Sequence, residues 1–68
     1  MYCQRSVAKR SDPDAAANLA RVSAVLGAEF AETYQRWLAG DTLAIIGQAH
    51  GVAYETIHLR LLRVHALL

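Results

Sequence analysis

Gly40-Asp41-Thr42-Leu43-Ala44-Ile45-Ile46-Gly47-Gln48-Ala49-His50-Gly51-Val52-Ala53-Tyr54-Glu55-Thr56-Ile57-His58-Leu59-Arg60-Leu61 is the stretch that decides the fold. Two helices crossing sharply through a turn of three or four residues impose local demands, and this run meets each of them in register. The first helix needs a small residue where the second passes over it, which is Gly47. The turn needs a residue that tolerates positive φ, which is Gly51. An apolar residue must follow and plug the core, which is Val52. Ile46 before the turn and Ile57 and Leu61 after it complete the inward set. The reading is a helix-turn-helix over about residues 41–64.

Upstream, two more helices are expected. Asp12 can accept from free N–H groups of a first turn, Pro13 fits the first helical position, and Asp14 favours the positive end of the helix dipole. The alanine-rich run from Ala15 to Leu26 has high helix propensity and sets Leu19, Val22 and Leu26 on one face. Gly27 ends it. A second helix runs from about Ala28 to Ala39, with an apolar stripe of Phe30, Tyr34, Trp37 and Leu38, in which Trp37 is a core anchor. Gly40 closes it. Asp41 or Thr42 caps a short helix from Leu43 to His50, and a last helix runs from about Ala53 towards the C-terminus. No strand pattern or repeat is present. The expected class is all-α, a small bundle of about four helices: a basic arm at 1–11 and one helical domain at 12–68.

Composition narrows the function. A chain of 68 residues buries only a small core, roughly 60% of its unfolded surface, and has little room for a deep catalytic pocket. It carries 54% apolar residues and 19% charged ones, against a usual charged share of about 25%. So little polar surface on so small a body points to a partner covering some of the rest. Cys3 has no second cysteine with which to form an internal disulfide. Neither a signal sequence nor an apolar run of about 18 residues occurs, so a cytoplasmic protein with no membrane span is expected. No Ser–His–Asp set, phosphate loop or paired carboxylates suggest an enzyme. Charge is uneven: Arg5, Lys9 and Arg10 stand at one end and Arg60 and Arg63 at the other, while the middle is acidic. That pattern suits an arm and a terminal helix meeting an anion.

The matches at Gly40, Thr42, Ile46-Gly47, Gly51-Val52-Ala53, Thr56-Ile57 and Arg60-Leu61 give a resemblance to a known family. The run resembles the C-terminal, promoter-reading domain (region 4) of bacterial sigma factors and the similar motif of LuxR-type regulators. The resemblance covers about 29 residues, fewer than half of the chain. It implies a small transcription regulator that binds double-stranded DNA. Two positions depart from the pattern. Ile45 stands where the family has a Glu able to pair with the Arg of the reading helix, so Arg60 is left for a phosphate or another partner. Ala53 stands where a Ser or Thr would cap that helix.

The last helix has two apolar faces. At about 100° per residue, Ile57, Leu61, Val64 and Leu68 fall together and face the core. Glu55, Leu59, Leu62 and Ala66 fall opposite, where a DNA reader usually carries Arg, Lys, Asn, Gln or Ser. Tyr54, His58 and His65 occupy one flank, and Arg60 and Arg63 the other. On the DNA reading, Tyr54, Glu55 and His58 lie nearest the bases, while Arg60, Arg63, Arg5, Lys9 and Arg10 hold the backbone. Leu59, Leu62, Ala66 and Leu67 form a protein interface, with a second copy or another transcription protein as the partner. The alternative is a bacterial or phage module that docks on a transcription factor or RNA polymerase through this apolar face. His58 and His65 are two turns apart, too far for a helical metal pair, and no cofactor is expected.

Overall fold

The computed structural model describes Arg10 and residues 12–68. The described residues form four helices and no strand: α1 (Ala15–Leu26), α2 (Ala28–Leu38), α3 (Leu43–His50) and α4 (Tyr54–Leu67). α2 is the central element and touches the other three helices, whereas α1 and α3 do not meet. The expected arm at 1–11 lies outside the described residues except for Arg10.

Each helix boundary has a chemical cause. α1 begins at Ala15, two residues beyond the expected start, because Asp12-Pro13-Asp14 forms a turn in which the Ala15 N–H donates to Asp12 O at 3.1 Å. The Asp12 carboxylate accepts from the Asp14 N–H (3.1 Å), from Asn18 Nδ2 (3.2 Å) and from the Tyr34 hydroxyl (2.6 Å). It therefore organises the entry to α1 and also ties that entry to α2. Gly27 alone joins α1 to α2. Thr42, rather than Asp41, caps α3, its hydroxyl accepting from the Ile45 N–H at 3.3 Å. Gly51 ends α3 in the left-handed region (φ 71°), the conformation for which glycine is suited. Ala53 gives α4 no side-chain cap, as its missing hydroxyl predicts.

The turn between α3 and α4 is tight. A methyl group on Gly47 would lie 2.8 Å from Val52 O, inside van der Waals contact with the backbone. The Val52 N–H donates back to Gly47 O at 2.9 Å. Only a residue without Cβ lets the chain return so closely over the helix it has just left.

The core draws on all four helices. Val22, Tyr34, Ile46, Ile57, Leu61 and Val64 are buried, with Leu19, Phe30, Trp37, Leu43, Val52 and others packed around them. Burying each large aliphatic side chain contributes about 1.5–3 kcal/mol. Two expectations at the C-terminus are reversed. Leu67 packs against the core instead of pointing outward, and Leu68 is 42% exposed instead of buried. Leu68 is the C-cap of α4, its N–H still donating to Val64 O at 3.0 Å, yet its side chain is left partly in solvent. Thr33, which periodicity does not single out, is fully buried, and its hydroxyl is satisfied by Glu29 O at 2.9 Å. Burial, and then the bond to Asp12, push the Tyr34 phenol up to about 12. The same hydroxyl, followed by Asn18, holds the Asp12 carboxyl below its ordinary value.

Candidate functional site

The outer face of α4 is the most open apolar surface of the fold. Tyr54, Leu59 and Leu62 are 54%, 62% and 53% exposed. Glu55, His58, Arg63 and Ala66 are exposed beside them. Spacing of three and four residues gathers Glu55, Leu59, Leu62 and Ala66 into one strip, with Tyr54 and His58 on one margin and Arg63 on the other. The two-faced character read from the sequence is thus present in α4, with Ile57, Leu61 and Val64 fully turned inward.

The cations are distributed differently from the expectation. Arg60 does not stand free on a flank: its side chain is 16% exposed and reaches inward to two other helices. Its Nη2 lies 3.4 Å from Glu29 Oε2 on α2, and its Nη1 lies 3.1 Å from His50 Nδ1 at the end of α3. The guanidinium also sits 5.8 Å from the centroid of the Phe30 ring. A guanidinium only donates, so His50 Nδ1 accepts and the neutral ring carries its proton on Nε2. That nitrogen is buried and lies 3.3 Å from Glu32 Oε2, but in a direction that forms no proper hydrogen bond. The sequence left Arg60 open to a phosphate or to a partner elsewhere; the fold supplies the partner.

Arg10 is likewise taken up. Its backbone N–H donates to Leu38 O at 2.9 Å, and its Nη1 donates to Trp37 O and, more distantly at 3.4 Å, to Asp41 O. The guanidinium carbon lies over the Trp37 indole, 3.4 Å from its centroid. A cation here meets the open carbonyls at the negative end of α2 and an aromatic face at once. The sequence placed Arg10 among the cations holding a DNA backbone; its charge is turned instead onto α2. Arg36 pairs with Glu32 (3.3 Å) and Asp41 (3.7 Å). Arg63 and Arg21 are exposed and form no ion pair with any described residue. Arg5 and Lys9 lie outside the described residues.

Of the residues assigned to a DNA face, Tyr54, Glu55 and His58 are therefore exposed near the start of α4, Arg63 is exposed on the opposite margin, and Arg60 and Arg10 are withdrawn. Of those assigned to a protein interface, Leu59, Leu62 and Ala66 are exposed and Leu67 is not. His65 rests edge-on against the Tyr34 ring, 6.0 Å between centroids. Among the described residues no three of His, Cys, Asp and Glu gather as metal ligands do, and no helix is long and apolar enough to cross a membrane. Comparison with protein-family models, with curated proteins and with solved structures gives no match.

Proposed function

We propose that α3 and α4 act as a helix-turn-helix that binds duplex DNA, with the N-terminal half of α4 in the major groove, in a transcription regulator working as a homodimer. The observation that carries this reading is the separation of roles along α4. Ile57, Leu61 and Val64 hold the helix to the body, while Tyr54, Glu55 and His58 stand in solvent at its free beginning. A helix of 14 residues is about 21 Å long, enough to enter a groove at one end and meet a protein at the other. Tyr54 and His58 offer hydrogen bonds to bases or phosphate, Glu55 accepts from a cytosine amino group, and Leu59 suits a thymine methyl. Arg63 holds phosphate, and Arg5 and Lys9 add charge from the arm. Leu62 and Ala66 pair with a second copy.

So few cations set the affinity. With about three phosphate contacts per protomer, and twice that in a dimer, log K falls with log salt at a slope near −5. Fluorescence anisotropy against a random-sequence duplex at low and moderate salt, with the molar mass measured in the same buffers, tests the reading. A monomer with no affinity at low salt refutes it.

A second reading has its own support. The exposure of Leu59 and Leu62, together with the withdrawal of Arg60 and Arg10, favours a module that docks on a transcription factor or RNA polymerase. Leu59→Ser with Leu62→Ser abolishes that complex, whereas Arg63→Glu abolishes DNA binding.

A further inference from the structure

We infer that Arg60 is a positioning residue: through Glu29 and His50 it fixes how α4 sits on α2 and α3, and so how the outer strip of α4 is presented. The inference rests on the DNA reading of that strip and changes the role of its most central cation.

Directionality is the first reason. α4 meets α2 and α1 largely through Ile57, Leu61 and Val64, and aliphatic contacts are non-directional. They hold the helix down but do little to stop it rolling. Arg60 lies between these residues in sequence and makes hydrogen bonds, which are directional, to groups on two other helices. At the α3 end, the Gly47–Val52 approach fixes α3 against α4. Between α2 and α4 the directed contacts are those of Arg60 with Glu29 and the Phe30 ring, and the edge contact of His65 on Tyr34. A roll of α4 moves Tyr54, Glu55 and His58 together, because all three stand on the same rigid helix outside its inward face.

The second reason is what the alternative costs. To reach a phosphate, the Arg60 guanidinium must leave a site where it is 16% exposed. Glu29, at 81% exposure, would be hydrated without loss, but His50 would not. The His50 side chain is 11% exposed, its Nε2 has no well-formed bond, and its Nδ1 would be left without a donor, since the Thr33 hydroxyl 3.5 Å away already gives its proton to Glu29 O. Buried polar groups left without partners are expensive, so the guanidinium stays.

The test compares Arg60→Gln, Arg60→Lys, Glu29→Gln and Arg63→Gln in the full chain, measuring affinity for a random-sequence duplex across a salt series. Arg63→Gln lowers the magnitude of the salt slope by about 0.9 per protomer, as the loss of a phosphate contact does. Arg60→Gln weakens binding roughly three- to tenfold with the slope unchanged, the size expected for groups coupled by contact. Arg60→Lys does not rescue it, since an ammonium cannot bridge two acceptors as a fork does; for a simple phosphate ligand lysine would serve. Glu29→Gln is the sharpest arm. The amide keeps an acceptor but loses the charge that holds Arg60; charge alone would then tighten binding, whereas a weakened positioning contact weakens it. Because Glu29 is exposed, this variant keeps the fold, which thermal melting verifies. Tighter binding by Glu29→Gln, or a slope change in Arg60→Gln equal to that in Arg63→Gln, overturns the inference. If the wild-type chain binds no duplex, the DNA reading fails, and amide chemical shifts decide the seating. Changes spread over residues 54–60 of α4 in Glu29→Gln uphold it, and changes confined to the neighbours of Glu29 overturn it.

Discussion

Replacing Gly47 by alanine places a methyl group where the chain doubles back. The new Cβ would stand 2.8 Å from Val52 O, 3.4 Å from Tyr54 N and 3.5 Å from Ala53 C. All three are backbone atoms, so no flexible side chain can swing aside. Relief requires moving the turn, which lengthens the 2.9 Å bond from the Val52 N–H to Gly47 O and draws Val52 away from the core. Because the clash is with backbone alone, the cost falls in the upper part of the overpacking range, about 2–3 kcal/mol. Against it stands the gain of alanine over glycine inside a helix, about 1 kcal/mol. The net expectation is a loss of about 1–2 kcal/mol. For a domain of this size that lowers Tm by roughly 5–15 °C, readable by circular dichroism at 222 nm. Gly51→Ala serves as the comparison. Nothing lies within 4 Å of its added methyl, but φ of 71° is unfavourable for alanine, so it loses about 1 kcal/mol from conformation alone. Asparagine at 51 recovers part of that loss, and asparagine at 47 recovers nothing. A Gly47→Ala protein melting at or above the wild-type temperature would refute the close-approach reasoning.

Three further outcomes are expected. Arg10→Ala removes an indole-stacked cation and a donor to the α2 carbonyls, and lowers stability by about 1–2 kcal/mol in urea unfolding; no change in midpoint contradicts the placement. Ala53→Ser supplies the hydroxyl that α4 lacks at its extended N-cap position, raising stability by about 1 kcal/mol, measured as a shift in urea midpoint at constant slope. The Tyr34 phenol titrates higher in the folded chain (about 12) than in the unfolded one (10.0), so its contribution is complete below pH 10 and disappears as pH rises towards 12, a loss of about 2 kcal/mol. Asp12 has the opposite sign: its depressed carboxyl contributes above the ordinary value of 3.8 and ceases to do so as pH falls below it. Tyr34→Phe flattens both limbs of the stability–pH curve, and unchanged limbs count against the Asp12–Tyr34 bond.

Helix order was legible because the chain punctuates itself. Pro13, Gly27, Gly40 and Gly51 stand at or beside helix ends, and between them the apolar residues recur with the helical period. The inward residues Val22, Tyr34, Ile57 and Leu61 follow from that period, and Ile46 from the demands of the turn. What escaped was long-range. Arg60 and Glu29 are 31 residues apart, and no local pattern marks them as neighbours. Arg10 is 27 residues from Trp37, and a basic residue near a chain end reads as free whether or not an indole awaits it. Thr33 carries no sequence signal of burial, because a hydroxyl residue reads as surface, although a bond to the carbonyl four residues back lets one be buried. The candidate face was legible as a surface of α4 and illegible in its electrostatics, since charge placement depends on where other helices lie.

The central place of α2 also bears on how the chain reaches this structure. α1 packs mainly on α2 and α3 mainly on α4, each a neighbour in sequence, while α1 and α4 share a small contact. Loop closure is therefore short for most of the native contacts, and such helical chains fold within microseconds to milliseconds. This distribution favours early pairing of α1 with α2 and of α3 with α4, the entropic cost of joining the two being met when α4 closes onto α2. The same contacts predict an opening in which the α3–α4 pair lifts away while α1–α2 stays formed. Amide exchange would show this as one common protection level for α3 and the first turns of α4, below that of α2.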